Sequence, residues 1–256
     1  RAGILGLLSG LIFWLATIPW VAQTMMHYGD VPWLLAGVVL VALSGYLALY
    51  TAVFCWLLGR TPLRSSAAYV TVAASLWVAL EFLRTYLFTG FPWNLLGYSQ
   101  YRNLPLVQVA AVTGVYGVSF VVAGVNAGLA QLVHLEKGWN DRLGGLGVAA
   151  AVVGLAVGSG WLLSPAREET PAIPVALVQG NIDQGVKWDP AYQGTPLEVY
   201  RRLTLEAARR GARLIVWPET AVPFFLGADP RWRAVQDLAR VTGAHLGASA
   251  EGAEVV

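Results

Sequence analysis

Residues Val31 to Gly59 read VPWLLAGVVLVALSGYLALYTAVFCWLLG and contain no charged side chain. About 20 apolar residues are enough for a helix to cross the hydrocarbon core of a bilayer. This stretch is longer than that, so it predicts a transmembrane helix. Further apolar stretches lie on both sides of it. We predict five membrane-spanning helices in all, over about 3–26, 31–58, 67–88, 106–135 and 143–163.

The charged residues are distributed unevenly and divide the chain into two parts. Only 12% of the 256 residues are charged, against roughly 25% in an ordinary soluble domain. Residues 1–165 hold seven Lys or Arg and four Asp or Glu, whereas residues 166–256 hold ten and eleven. We therefore predict a transmembrane domain over 1–163, a proline-containing linker over 164–174 and a second domain over 175–256.

A segment between the third and fourth predicted helices is apolar but cannot be helical. Residues 89–105 read TGFPWNLLGYSQYRNLP, in which glycine and proline recur. Unpaired backbone groups cannot face lipid, so this segment must be covered by protein or lie at the membrane interface. It is either an aromatic belt or a lid or floor for a lipid-like substrate. Just before it, Glu81 and Arg84 are spaced to pair on one helix face, as an interfacial ion pair or at the mouth of a site.

The second domain alternates strands and helices, which is typical of an α/β fold. The predicted strands are 173–179, 214–217 and 245–250, and the predicted helices are 197–210 and 230–242. Glu219 directly follows the second strand and Pro218, and sites in such sheets gather where strands end. From spacing alone, Glu219 is either a helix cap or a catalytic base held in a partly dry site, and both remain open.

Several kinds of function have no support in the sequence. The histidines 27, 134 and 245 are isolated, and no glycine-rich phosphate loop follows a predicted strand, so we predict no metal and no other cofactor. Arginines in the second domain alternate with acidic residues, which argues against a nucleic-acid partner. The predicted helices contain few buried polar groups, which argues against a transporter.

Six short motifs, in order along the chain, carry a resemblance to known proteins. They are EFLR (81–84), TGFPW (89–93), GYSQ (97–100), VQGNI (178–182), KWD (187–189) and IVWPETA (215–221). At the last motif the chain is similar to the nitrilase, or carbon–nitrogen hydrolase, superfamily. With membrane helices in front of that motif, it resembles the apolipoprotein N-acyltransferase family.

The resemblance implies a fold and an activity. The fold is a multi-span α-helical membrane domain followed by an incomplete α/β nitrilase-like domain, an αββα sandwich. The activity is transfer of an acyl chain from a phospholipid, through a cysteine thioester, to the α-amine of the N-terminal diacylglyceryl-cysteine of an apolipoprotein. The implied location is the bacterial inner membrane, with the catalytic domain on its periplasmic face. We expect a monomer that needs no cofactor.

The resemblance also assigns roles to individual residues. Glu219 matches the general base of a Glu-Lys-Cys triad. Trp188 matches a tryptophan beside the active site, although a loop-anchoring role for it stays open. Trp93 and Tyr98 match the membrane-proximal segment of the family and, with Trp188, are candidate substrate contacts.

The chain departs from the family pattern after Glu219. No lysine or cysteine follows it, because the last lysine is Lys187 and the single cysteine, Cys55, lies in a predicted helix. We therefore expect the chain to be a fragment truncated at both ends, and inactive alone. Alternative functions are another membrane-bound nitrilase-like amidase, the acyltransferase-like domain of a polyprenol-phosphate mannosyltransferase, or a structural membrane anchor.

Basic residues at the helix ends predict the membrane topology. Alternating the ends of five helices places five basic residues on one side and two on the other: Arg1, Arg60, Arg64, Lys137 and Arg142 against Arg84 and Arg102. The side with more basic residues is normally cytoplasmic. The second domain is then on the outer face.

Reporter fusions test this topology. Fusions after Pro62 and Asn140 should be active only with a cytoplasmic reporter, and a fusion after Tyr200 only with a periplasmic one. A fusion after Tyr200 that works only in the cytoplasm would contradict the prediction.

Overall fold

The computed structural model describes residues 1–62, 65–133, 138–163, 172–183, 194–219, 221, 229–250 and 253–255. The chain divides into two units, Arg1–Ala166 and Arg167–Val256. The first unit is helical and the second contains strands and helices.

The helical unit contains several helices that are long and apolar enough to span a membrane. In chain order the helices are α1 (Ala2–Thr17), α2 (Pro19–Tyr28), α3 (Trp33–Arg60), α4 (Ser66–Tyr86), a 3-10 helix (Leu96–Gln100), α5 (Leu104–Val107), α6 (Ala110–Thr113), α7 (Val115–Val133) and α8 (Trp139–Leu163). Among the described residues, α3, α4, α7 and most of α8 meet the length and hydropathy needed to span. Helices α1 and α2 meet them only as a pair. This unit is therefore a membrane helical domain.

Two of the predicted membrane helices are interrupted in the structure. The helix predicted over 3–26 is bent by 42° between α1 and α2. Pro19 begins α2 there, and proline has no N–H to continue the hydrogen bonds of α1. The helix predicted over 106–135 is broken at Gly114, whose φ of 64° is left-handed. The long helix α7 begins only after this glycine, at Val115.

Glycines on α1 allow it to pack closely against α3. A Cβ atom at Gly6 would lie 2.7 Å from the carbonyl oxygen of Thr51 and 2.9 Å from the sulfur of Cys55. Gly10 likewise faces Ala48. Small residues at such contacts let helix backbones approach, which is how membrane helices gain packing energy. Cys55 is thus a packing residue of the helical unit.

The second unit is built on a four-stranded sheet. Its elements are β1 (Val175–Leu177), α9 (Gly194–Arg209), β2 (Leu214–Val216), α10 (Trp232–Thr242), β3 (His245–Ala250) and β4 (Ala253–Val255). The strand order is β1-β2-β3-β4, with the first three parallel and β4 antiparallel to β3. Ile215 on β2 is completely buried beside Val235 and Leu238 of α10. The core of this unit therefore lies between the sheet and its helices.

The α1–α3 contact can be tested by adding a single methyl group. Gly6→Ala should destabilise the protein, by about 1–3 kcal/mol, because the new Cβ overlaps the backbone of α3. Gly45→Ala on α3 is the matched control, since a Cβ there meets nothing within 4 Å. Thermal unfolding in detergent, followed by size-exclusion chromatography, measures both. Equal midpoints for the two variants would contradict this packing.

Candidate functional site

The end of β2 is fixed by a buried tryptophan. Trp217 follows Val216, and its backbone N–H donates to the carbonyl of Gly247 on β3 (2.9 Å). Its indole Nε1 donates to the hydroxyl of Thr204 on α9 (2.8 Å), and both side chains are buried. The ring also stacks on Tyr200 with 5.0 Å between centroids. The end of β2 is therefore fixed by contacts with both α9 and β3.

Glu219 leaves the sheet directly after this anchor. Pro218 and Glu219 are both exposed. Spacing alone left two interpretations of Glu219 open, a helix cap or a catalytic base in a partly dry site, and neither is tested, because residue 220 and residues 222–228 lie outside the described part of the chain. Trp217 is buried in the core, and the exposed Pro218 and Glu219 follow it. The structure shows an accessible carboxylate in a defined position.

The loop after β1 leaves the sheet at the same edge. Leu177 is opposite Val216 in the parallel register, so Val178–Asp183 and Trp217–Glu219 both follow the carboxyl ends of neighbouring strands. Within this loop Gln179 donates to the side chain of Asn181 (2.9 Å). Ligands of open α/β sheets commonly bind at such an edge. The polar residues there are consistent with a site beside Glu219.

A close contact holds the loop after β1 against α9. A Cβ at Gly180 would lie 2.9 Å from the ring of Tyr200, so only glycine fits without displacing that ring. Burial raises the pKa of the Tyr200 phenol, and a hydrogen bond from the Gly180 backbone opposes that rise. Thr204 and Tyr200 of α9 thus contact the residues next to the candidate site, Trp217 and Gly180. Neither was predicted from the sequence as a site residue. One feature of the sequence could have indicated this contact: Thr204 is a polar residue between Leu203 and Leu205 on an otherwise apolar helix face.

The other predicted residues of this unit lie where the structure gives no description. Trp188 falls within 184–193, outside the described residues. Its predicted role beside the active site is therefore untested. Among the described residues no three His, Cys, Asp or Glu side chains are grouped as a metal site.

In the helical unit, Glu81 and Arg84 are both buried, each 4% exposed. The predicted ion pair between them is not formed within 4 Å among the described residues. Instead, the backbone N–H of Leu96 donates to Glu81 Oε1 (2.7 Å), and Arg84 Nη1 donates to the carbonyl of Trp93 (2.9 Å). The Arg84 guanidinium also lies 4.7 Å from the ring centroid of Trp14. Both charged side chains therefore bind the segment 89–105. The prediction that this segment cannot be helical is wrong in part, because it contains the 3-10 helix Leu96–Gln100 and the first residues of α5.

Trp93 and Tyr98 are carried by that segment and face outward. Trp93 is 55% exposed and makes an edge contact with Trp20 at 5.5 Å between centroids. Tyr98 lies in the 3-10 helix and is 54% exposed. The next-door Gly97 is buried, with its N–H donating to Ser119 (2.8 Å). The segment thus has an anchored inner side and an aromatic outer side.

The comparison with known proteins identifies the family. Residues 1–128, half of the chain, match the model of the apolipoprotein N-acyltransferase N-terminal domain. The chain belongs to the apolipoprotein N-acyltransferase family. The match covers the helix that carries Glu81 and Arg84, α4, and the whole segment 89–105.

Curated members of the apolipoprotein N-acyltransferase family resemble the chain over both units. The apolipoprotein N-acyltransferase of Geobacter metallireducens is 39% identical over 248 residues, covering 94% of this chain and 47% of the relative. Those of Nitrosomonas europaea and Vibrio cholerae are 33% and 35% identical, covering 90% and 88% of this chain and 45% and 43% of the relatives. The chain spans about half the length of the curated relatives it matches.

The anchoring of the strand end is testable without an activity assay. Thr204→Val leaves the buried indole N–H of Trp217 without an acceptor, which should cost about 1–3 kcal/mol of stability. Thr242→Val removes a hydroxyl that bonds only within α10 and should cost clearly less. Chemical denaturation monitored by tryptophan fluorescence compares the two. A Thr204→Val protein as stable as Thr242→Val would contradict the anchor.

Proposed function

We propose that this chain is part of an enzyme that moves an acyl chain from a phospholipid to the α-amine of the N-terminal diacylglyceryl-cysteine of an apolipoprotein. The observation that carries the proposal is the family match over the helical unit. The names of the curated relatives and the apolar helices agree with it. The proposed partners are thus a phospholipid donor and an apolipoprotein acceptor, with no cofactor.

The proposed location is the bacterial inner membrane, with the second unit on its periplasmic face. Four described helices are long and apolar enough to span, and the α1–α2 pair supplies a fifth span if the bend is crossed as one. With five spans, the two ends of the helical unit lie on opposite faces of the membrane. The excess of basic residues at the opposite helix ends supports the orientation. Glycines used for α1–α3 packing favour a monomer, because that surface is already occupied.

For the second unit we propose the N-terminal part of a nitrilase-like αββα domain. Three parallel strands with a carboxylate at the end of the middle one support this fold. In that arrangement Glu219 is the general base. Its exposed position leaves the carboxylate accessible to a reacting group, which a general base requires.

The proposed reaction proceeds in two acyl transfers. Glu219 accepts the proton of a cysteine thiol, and the thiolate attacks the ester carbonyl of the phospholipid. An ammonium group stabilises the oxyanion, and the proton passes to the leaving alcohol as the thioester forms. The acceptor amine then attacks the thioester and loses one proton to Glu219; as the C–S bond breaks and the amide forms, that proton passes to the departing thiolate. Cys55 is not proposed as this nucleophile, because it packs against Gly6 between two helices.

The aromatic residues have proposed roles in binding the substrates. Trp188 is proposed to pack its indole on the acyl chain beside the active site. Trp93 and Tyr98 are proposed to contact lipid, since both are exposed on the segment that Glu81 and Arg84 anchor. Aromatic rings of this kind suit the membrane interface, where one side is apolar and the other is wet.

The role of Glu219 is tested in the full-length protein. Glu219→Gln keeps the size of the side chain but removes the base, and the rate of acyl transfer should fall about 10²–10⁴-fold. Glu198→Gln is the matched control, because Glu198 is exposed and its ion pair, among the described residues, is with Arg201 on the same helix (2.9 Å). Mass spectrometry of a diacylated lipopeptide measures the rate. Acyl transfer by Glu219→Gln at the rate of Glu198→Gln would rule out a general-base role.

A further inference from the structure

The helical unit contains a cavity of about 300 Å³ that the proposed reaction does not use. It lies among α1, α3 and α4, and Asn94 and Leu96 of the segment 89–105 also line it. Most of its wall is apolar, with Leu47, Phe54 and Leu80 among the lining side chains. An apolar cavity of about 150 Å³ holds one benzene molecule, so this one has room for about twelve carbon atoms.

The cavity follows α4 from near its end toward the interior of the membrane. Arg84 lies two residues before the end of α4, and Trp77, which lines the other end of the cavity, lies seven residues earlier. At 1.5 Å per residue the two positions are about 10 Å apart along the helix axis. The end of a spanning helix lies at the interface, where the ester groups of lipids also lie. The cavity therefore follows the course of a lipid chain that starts at the interface.

The cavity is open at the surface of the helical unit. Phe13 and Asn94 line it, and both are exposed, Phe13 by 48%. In a membrane domain the surface around the helices meets lipid, and lipid chains are apolar like most of this wall. A chain of a neighbouring lipid can therefore enter the cavity from the side.

Arg84 places N–H donors on this wall that a ligand can reach. Its side chain is 4% exposed, and its Nη1 donates to the carbonyl of Trp93 (2.9 Å). Its Nε and Nη2 have no partner among the described residues, and neither is among the partnerless polar atoms that are sealed from water. The Nε1 of Trp77 and the Oε2 of Glu81 are sealed in this way, so they are not available to a ligand. The guanidinium is therefore the charged donor that the cavity offers.

The hydroxyl groups on the wall do not require a ligand. Ser9 donates to a backbone carbonyl of α1, and Tyr50 shares a hydrogen bond with Tyr46. The hydroxyl oxygen of Thr51 lies beside α1, 3.0 Å from the position that a Cβ atom at Gly10 would take. A threonine hydroxyl in a helix can turn to bond the carbonyl four residues earlier. An apolar chain can therefore lie along this wall without leaving these groups unsatisfied.

The charges on the wall favour a neutral hydrogen-bond acceptor. Glu81 and Arg84 both line the cavity and are both 4% exposed, so their opposite charges already offset each other. A carboxylate or phosphate would add a second negative charge next to Glu81, and a buried charge without its own partner is costly. An ester carbonyl can accept a hydrogen bond from the guanidinium without adding charge. Glycerophospholipids carry such an ester at the start of each acyl chain.

We propose that this cavity binds one acyl chain of a membrane glycerophospholipid, whose ester carbonyl accepts a hydrogen bond from Arg84 and whose chain runs along α4 toward Trp77. The rings of Phe54 and Trp77, in edge-to-face contact with 5.2 Å between centroids, form the deep end of the site. The site requires only the membrane helical domain, so it does not depend on the acyl-transfer proposal or on Glu219.

Photo-crosslinking of the purified protein in detergent micelles tests the site. The probe is a phosphatidylcholine with a diazirine in the middle of one ester-linked chain, and peptide mass spectrometry locates the adducts. We expect saturable adducts at Phe54 and Leu80 that unlabelled diester phosphatidylcholine removes. Trp161 is the control for lipid around the protein, because it is exposed on α8, and its adducts should not saturate. Labelling of the cavity that is absent, or as unsaturable as that of Trp161, would overturn the proposal.

Matched competitors test the contact with Arg84. A diether phosphatidylcholine of the same chain length lacks the ester carbonyl. It should compete about tenfold less well than the diester, the effect of one lost hydrogen bond to a charged group. Palmitate, which carries a carboxylate, should also compete less well than the diester. Equal competition by diester and diether would show a purely apolar site, and stronger competition by palmitate would show a carboxylate site. Either result would overturn the proposal.

A substitution that fills the cavity provides an independent check. Leu80→Trp adds a larger ring to the wall and should abolish the saturable labelling of Phe54. Leu83→Trp is the matched control, because Leu83 is on the same helix and is 45% exposed, and labelling should be unchanged. Size-exclusion chromatography checks folding, and Ser9→Phe replaces Leu80→Trp if that variant does not fold. Full labelling of Phe54 in a folded, filled variant would contradict a site in this cavity.

Discussion

Two charged side chains buried in α4 hold the segment 89–105 on the helical unit. A charged group buried away from water is costly unless hydrogen bonds and nearby charges compensate for it. Glu81 and Arg84 obtain that compensation from the backbone of the segment, at Leu96 and Trp93. The segment gains as well, because irregular backbone within a membrane needs hydrogen-bond partners that lipid cannot supply. Each element therefore stabilises the other.

This constraint determines what the segment presents to its surroundings. Because its inner side is bonded to α4, and Gly97 is bonded to Ser119 of α7, its aromatic side chains Trp93 and Tyr98 point outward. In the α/β unit, buried contacts likewise fix the backbone next to an exposed side chain. There Trp217 is bonded to Thr204 and stacked on Tyr200, so the exposed Glu219 follows a rigid strand end. In both units a buried polar contact fixes the residue next to a candidate functional group.

The sequence predicted the elements better than their contacts. The apolar stretches predicted as helices over 31–58, 67–88 and 143–163 overlap α3, α4 and α8, because a bilayer requires a minimum apolar length. Apolar length does not reveal where a helix is interrupted by an uncharged residue. It therefore did not predict the helix break at Gly114, whose backbone is left-handed, before α7. The sequence placed Glu219 just after a strand, and the structure has β2 ending at Val216, three residues before it. The exposure of Glu219 could not be predicted, because exposure depends on where the chain turns after Trp217.

The partners of Glu81 and Arg84 show the same limit. Spacing along a helix reports which side chains share a face, and it favoured an ion pair between these two. It carries no information on a loop that folds back onto that face from later in the chain. Leu96 and Trp93 are such partners, and only the tertiary structure brings them to α4.

Hydrogen exchange of the segment 89–105 tests the central claim most directly. Arg84→Met removes the bond to the Trp93 carbonyl while keeping a long side chain. Arg102→Met is the control, because Arg102 is exposed and its guanidinium lies over the ring of the neighbouring Tyr101. If α4 holds the segment, peptides covering it should exchange about tenfold faster in Arg84→Met and at the unmodified rate in Arg102→Met. Equal exchange in both variants would show that the segment is held by something else.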